Sequence, residues 1–151
     1  MENTGLADTM QTHEWAVPAI QTIHILGLAI IFASMLMYDL RLLGVTGTHH
    51  ALSEMGQRFL PPLWIALAVM LATGLLLIFA EPSRELYNAM FWTKMALLLL
   101  ACLLTFAAGC AAATREGFDR SIAARLIGLV CFACWLGIVF CGRWIAYFDV
   151  M

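Results

Sequence analysis

Two ionisable side chains stand among long apolar stretches of this sequence: His24, within the charge-free run Trp15 to Tyr38, and Lys94, directly before the run Met95 to Thr114. Such groups are costly in hydrocarbon, so their default reading is functional and inward-facing. A neutral imidazole can hold iron through one ring nitrogen, and basic groups at the same level can pair with haem propionates. Gln21 lies three residues before His24 on the same helical face and is placed to orient the ring, while Arg143 closes the last apolar run at a similar depth. Together these residues suit a b-type haem or related porphyrin. His24 would be the axial ligand, and thus the metal ligand, with Lys94 and Arg143 neutralising propionates. His24 is the one histidine within the spans, so a bis-histidine site is excluded. Any haem would be five-coordinate, or would take a Met or Lys94 as its second ligand. The competing reading is plainer: Lys94 snorkels up to the headgroups, and His24 bonds Gln21 or a backbone carbonyl.

Other candidates are weaker. Cys131 and Cys134 have CxxC spacing, with Cys141 further along, but they lie in mid-membrane, where thiols stay protonated and pack as small apolar groups. Cys102 and Cys110 read the same way. His49 and His50 fall in a Gly/Thr loop and read as solvated. Met10 and His13, with Met90 and Met95 beside Lys94, offer soft ligands for copper at the outer face. Glu81, Arg84 and Asp149 add polar groups at that end, where Trp15, Trp92 and Trp144 form an aromatic belt.

The elements that must position these residues follow from composition. Of 151 residues, 63% are hydrophobic and 12% charged, too few charges to clothe a soluble domain. The net charge of -2, with no basic run, excludes nucleic-acid binding. Asp, Glu, Lys and Arg are absent from Trp15 to Tyr38, Phe59 to Ala80, Met95 to Thr114 and Leu126 to Gly142. Each run approaches or exceeds the roughly 18 to 20 residues that span hydrocarbon as a helix. The expectation is an all-α integral membrane protein, one transmembrane domain over residues 1–151, with helices near 16–43, 60–80, 88–114 and 121–147. The first run lacks the basic flank of a cleaved signal peptide, so it is read as part of the mature protein.

Local signals set the ends. Pro18 suits the first turn of the first helix, and Pro61 and Pro62 the first turn of the second. Asn88 and Ser121 can accept from the free N–H groups that open the third and fourth helices. Ala101, Thr105, Ala108 and Ala112 share one face, a small-residue stripe for close helix packing that also carries Lys94. Short loops demand an up-and-down four-helix bundle. Arg41 and Arg58 bracket the first loop and Arg115, Arg120 and Arg125 fill the third, so the positive-inside rule places those loops in the cytoplasm and both termini in the periplasm. His24 and Lys94 would then lie at one depth, about 9 Å below the outer face.

The order His24, Tyr38 and Arg41, Met55-Gly-Gln-Arg58-Phe, Thr73-Gly74 and Trp92-Thr-Lys94-Met-Ala-Leu resembles the HemJ-type membrane protoporphyrinogen oxidases and, more broadly, four-helix proteins that include the CopD-like copper-resistance domains. In the HemJ-type enzymes a His of the first helix and a Lys of the third are functional, which the resemblance maps to His24 and Lys94. Trp15-Ala-Val-Pro18, Asp39-Leu-Arg41-Leu-Leu-Gly44 and the tail Gly142-Arg-Trp-Ile-Ala-Tyr-Phe-Asp149 look more like an uncharacterised family of small bacterial inner-membrane proteins, a likeness that implies no activity. The leading expectation is haem b or porphyrin binding near the periplasmic face, for electron transfer or porphyrin handling. The alternatives are a cofactor-free accessory subunit of a larger respiratory or photosynthetic complex, and copper handling at the outer face. Partners are the lipid bilayer and possible further membrane subunits or copies of the chain, and the compartment is the bacterial inner membrane.

Overall fold

The computed structural model describes residues 15–80, 86–115 and 117–145. Four helices carry the fold: α1 (Ala16–Leu42), α2 (Leu52–Ala80), α3 (Ala89–Thr114) and α4 (Ile122–Ile145), with a single 3-10 turn at Phe118–Arg120 before α4. All four are long and apolar enough to cross a membrane, and the chain is a multi-pass membrane protein. At 1.5 Å per residue the shortest, with 24 residues, is about 36 Å long and exceeds the hydrocarbon thickness.

Contacts between named residues give the topology. His24 meets Thr73, Gly27 meets Met70, and Tyr38 meets Gly56, so α2 ascends as α1 descends. Leu97 packs on Gly137 while Thr105 meets Cys131, which makes α3 and α4 antiparallel in the same way. The bundle is therefore two antiparallel pairs, α1 with α2 and α3 with α4, joined chiefly where α1 packs against α4. The core is thin. Ile31, Met35, Leu63, Ala101, Cys131, Trp135 and Ile138 fill its middle, and Tyr38, Leu42, Ala108, Phe118 and Ala124 fill the end nearest the first and third loops. Ala101, Thr105 and Ala108 of the small-residue stripe are buried, as close packing of α3 requires.

The ends have clear causes. α1 stops at a Schellman motif, in which Gly44 takes φ 73°, its N–H donates to the Arg41 carbonyl and that of Val45 to the Leu40 carbonyl. Asn88 accepts from the Met90 N–H at 2.9 Å to open α3, and Ser121 Oγ accepts from the Ala124 N–H at 3.1 Å at the start of α4. The start of α2 corrects the sequence-based boundary. The helix begins at Leu52, not near residue 60, and Pro61 and Pro62 lie inside it. Their missing N–H groups deprive the carbonyls of Gln57 and Arg58, residues that are themselves exposed at the polar end of the helix, where water can serve as donor. Glu54 and Arg58 face outward there while Leu52 and Gly56 are buried, so the added turns form an amphipathic extension of the span.

Candidate functional site

His24 sits half-buried on α1, roughly 10 Å from the helix ends at its side of the bundle. Its Nδ1 lies 2.8 Å from Thr73 Oγ1 on α2. The Thr73 hydroxyl is also 2.9 Å from the Val69 carbonyl and 3.2 Å from the Met70 carbonyl, and neither of those groups can donate. With the imidazole proton on Nδ1, Thr73 Oγ1 accepts from it, the hydroxyl proton turns to a carbonyl and Nε2 keeps a lone pair; in the other tautomer the hydroxyl donates to Nδ1. The ring also lies over Gly74, where a Cβ would stand 3.4 Å from His24 Cε1, at van der Waals contact. Thr73 is buried by the same packing.

Lys94 is half-buried on α3, with Nζ 5.2 Å from the ring centroid of the buried Phe91 one turn earlier. The Thr105 hydroxyl on α3 points at Met35 Sδ on α1 at 3.8 Å and fixes the relative height of these two helices. Eleven residues back from that contact on each helix stand His24 and Lys94, at one level, and the Lys94 charge acts on the imidazole. Gln21 is exposed, and the hydrogen-bond partner of His24 is Thr73 instead. Arg143 is exposed in the last turn of α4, at this same end of the bundle. Glu81, Arg84, Asp149, Met10 and His13 lie outside the described residues. Among the described residues, no three His, Cys, Asp or Glu side chains group to hold a metal ion. The site thus offers an imidazole held through Nδ1, and a cation at its level on α3.

The opposite end holds polar groups that sequence reasoning passed over. Arg41, counted as a loop charge, is 4% exposed. Its Nε and Nη2 donate to the His50 carbonyl at 3.0 and 2.9 Å, and Nη2 also reaches Asp119 Oδ2 at 2.9 Å. One guanidinium therefore ties the first loop to the 3-10 turn before α4. The hydrogen bond from Arg41 holds the Asp119 carboxyl below the usual carboxylate range; partial desolvation opposes this, and the charges of Arg41 and Arg120 add to it. Two residues back on α1, Asp39 is 1% exposed, and among the described residues neither of its oxygens has a hydrogen-bond partner. Tyr38 and Trp135, also buried, leave Oη and Nε1 without partners. An aspartate one residue beyond a charge-free run reads as interfacial, and only the packing of α4 shows that it is enclosed. Gly128 permits that packing: a Cβ there would lie 2.9 Å from Leu42 Cβ and 3.3 Å from the Asp39 carbonyl. Cys131 and Cys134 are buried in the core, and Cys131 Sγ lies 3.3 Å from Thr105 Oγ1.

Comparison with known proteins bears on the family alone. No curated protein and no solved structure matches the chain, so its likeness to the HemJ-type oxidases and CopD-like domains has no counterpart there. A family profile described as "Family of unknown function (DUF6644)" matches residues 12–148, which include all four helices, and the chain belongs to that family.

Proposed function

We propose that this protein is a bacterial inner-membrane protein that binds a b-type haem or related porphyrin near its periplasmic face, in electron transfer or porphyrin handling. One observation carries the reading. His24 Nδ1 is held 2.8 Å from Thr73 Oγ1, and in the tautomer that donates this bond Nε2 is the nitrogen available to a metal, the arrangement by which histidines are fixed as metal ligands. Lys94 and Arg143, at the same end, suit the two propionates. When bound, haem supplies one-electron chemistry, and the chain's own part is to hold it with His24 and to neutralise its carboxylates. The orientation follows from the Arg residues around the first and third loops. Arg41 is neutralised by Asp119, yet Arg58, Arg115, Arg120 and Arg125 still favour a cytoplasmic placement for those loops.

The test is an absorption spectrum of the purified protein after expression with ample haem. A Soret band is expected, lost in His24→Ala with membrane insertion intact. A colourless wild type, or a His24→Ala protein that binds haem as well as wild type, refutes the reading. A second reading is favoured by the thin core. Isoleucine, leucine and phenylalanine side chains are exposed along all four helices, a surface that neighbouring subunits of a respiratory or photosynthetic complex could cover as well as lipid. A colourless protein that co-purifies with such subunits supports that accessory role.

A further inference from the structure

Among the described residues, the buried side-chain nitrogens and oxygens without a hydrogen-bond partner come from three residues. They are Asp39 Oδ1 and Oδ2, Tyr38 Oη and Trp135 Nε1. Asp39 and Trp135 both neighbour Cys131 of α4, and Tyr38 directly precedes Asp39 on α1, so the four atoms gather where α1 packs against α4. Tyr38, Asp39 and Trp135 are at most 2% exposed.

The surroundings show which state of Asp39 the fold can hold. From α1 the facing groups are Tyr38 and Arg41, and the Arg41 fork is turned to Asp119 and the His50 carbonyl. From α4 they are Cys131, Cys134 and Trp135, and from α3 Thr105, whose hydroxyl donates to the Ala101 carbonyl at 2.8 Å. Arg120, on the 3-10 turn, is exposed and acts on Asp119. Among the described residues no cation reaches either Asp39 oxygen, and the Cys131 thiol beside it is a weak donor. An ionised carboxylate enclosed on those terms is the most expensive form this site could contain. The neutral acid is far cheaper, and it gains a donor of its own.

The locus also has the composition of a water site. It presents two donors, from Tyr38 and Trp135, and the carboxyl as donor and acceptor, whereas buried water is retained where two to four polar groups converge. It lies within one turn of the end of α1, at Leu42, beside the polar loops. We propose that Asp39 is carried as a neutral carboxylic acid and, with the Tyr38 hydroxyl and the Trp135 indole N–H, binds internal water to form a proton-exchanging site at the loop end of the bundle. On release, the acid proton passes through the bound water to solvent as hydronium and leaves a carboxylate, which accepts from the remaining neutral water while that water accepts from the Tyr38 hydroxyl and the Trp135 N–H. On uptake, a proton from hydronium returns to a carboxyl oxygen. The charge of the site alternates between zero and minus one, and no other reactant is needed. This reading does not depend on haem.

Infrared spectroscopy of the whole protein in bilayers at neutral pH tests it. A carboxylic-acid carbonyl band is expected, absent in Asp39→Asn and shifted down in D2O as the acid proton exchanges. If Asp39→Asn does not fold, carbonyl-13C aspartate is introduced into a protein whose Asp8 and Asp149 are replaced by Asn. There Asp39 and Asp119 alone carry the label, and Asp119 is ionised. A labelled band in the carboxylic-acid region then supports the assignment. Label found only in carboxylate bands overturns the neutral acid, and a carboxylic-acid band that does not move in D2O overturns exchange with water.

Discussion

Asp119→Asn keeps the shape and one acceptor oxygen of the side chain and removes its charge, which isolates the ion pair with Arg41. At 2.9 Å, two unit charges in an effective dielectric of about 20 attract by roughly 6 kcal/mol before desolvation is counted. Most of that is offset, because the Arg41 side chain, at 5% exposure, has given up nearly all its water, whereas the Asp119 side chain keeps 27%. Losing one partner of a fully buried pair costs about 3 to 5 kcal/mol and of a surface pair about 0 to 1. Here the cation is enclosed, the anion half-open, and two bonds to the His50 carbonyl survive. The expected loss is therefore about 2 kcal/mol, read by equilibrium unfolding in mixed micelles at pH 7. The pH dependence has a definite sign. The folded carboxyl is held below the unfolded value of about 3.9, so its contribution is present above that value and is lost as pH falls through the lower folded one. Wild type should lose stability more steeply than Asp119→Asn between about pH 4 and pH 2, where that loss falls. A variant within about 0.5 kcal/mol of wild type at pH 7, or parallel acid profiles, would show that the Arg41 fork rests on the His50 carbonyl alone.

Three further outcomes follow from the same geometry. Thr73→Val keeps the shape but removes the acceptor that fixes His24 Nδ1–H, and it should weaken porphyrin binding about 10- to 100-fold in a spectral titration without abolishing it; unchanged affinity would mean the ring is oriented by something else. Gly128→Ala forces a Cβ against Leu42 Cβ and the Asp39 carbonyl, neither of them a flexible tip, and should cost about 1 to 3 kcal/mol, whereas Gly142→Ala, with nothing within 4 Å, should be neutral or stabilising by up to about 1 kcal/mol. A reporter fused after Met151 should be active only in its periplasm-compatible form, and one in the His49-His50 loop only in its cytoplasm-compatible form; the reverse would move the His24 end of the bundle to the cytoplasm.

The sequence was most informative where one physical rule acted alone. Charge-free runs dictate the spans because hydrocarbon tolerates few charges, and Asn88 and Ser121 announce helix starts because their side chains accept from free N–H groups. It misled where two rules competed. Pro61-Pro62 is a good helix opening, but the inward Leu52 and Gly56 and outward Glu54 and Arg58 form a helical pattern that extends upstream, and the orphaned carbonyls lie where water reaches them. At the site, equal depth of His24 and Lys94 was readable by counting residues, whereas the partner of His24 was not. Gln21 is near in sequence but exposed, and Thr73 is brought in by the antiparallel register of α1 and α2. Arg41 had a topological meaning in one dimension and acquires a packing role in three.

The enclosure of Asp39 deepens that distinction, because it depends on a residue with no side chain in another helix. Gly128 lets α4 close over the end of α1, and the absence of a Cβ carries no chemical signal in a sequence. His24 and Asp39 stand on the same helix, fifteen residues and about 22 Å apart, and the fold treats them oppositely. At the His24 end Nδ1 and the Thr73 hydroxyl find partners, so the imidazole is held against α2, and in the proposed reading Nε2 serves the ligand. At the Asp39 end donors and acceptors are enclosed without direct partners, so the carboxyl is left to water and a proton. The first arrangement suits a site that must hold its geometry, the second one whose charge must change. Substitutions at Thr73 and at Gly128 should therefore act independently, since no described contact joins Thr73 to the Asp39 locus and additivity is the rule for groups that far apart.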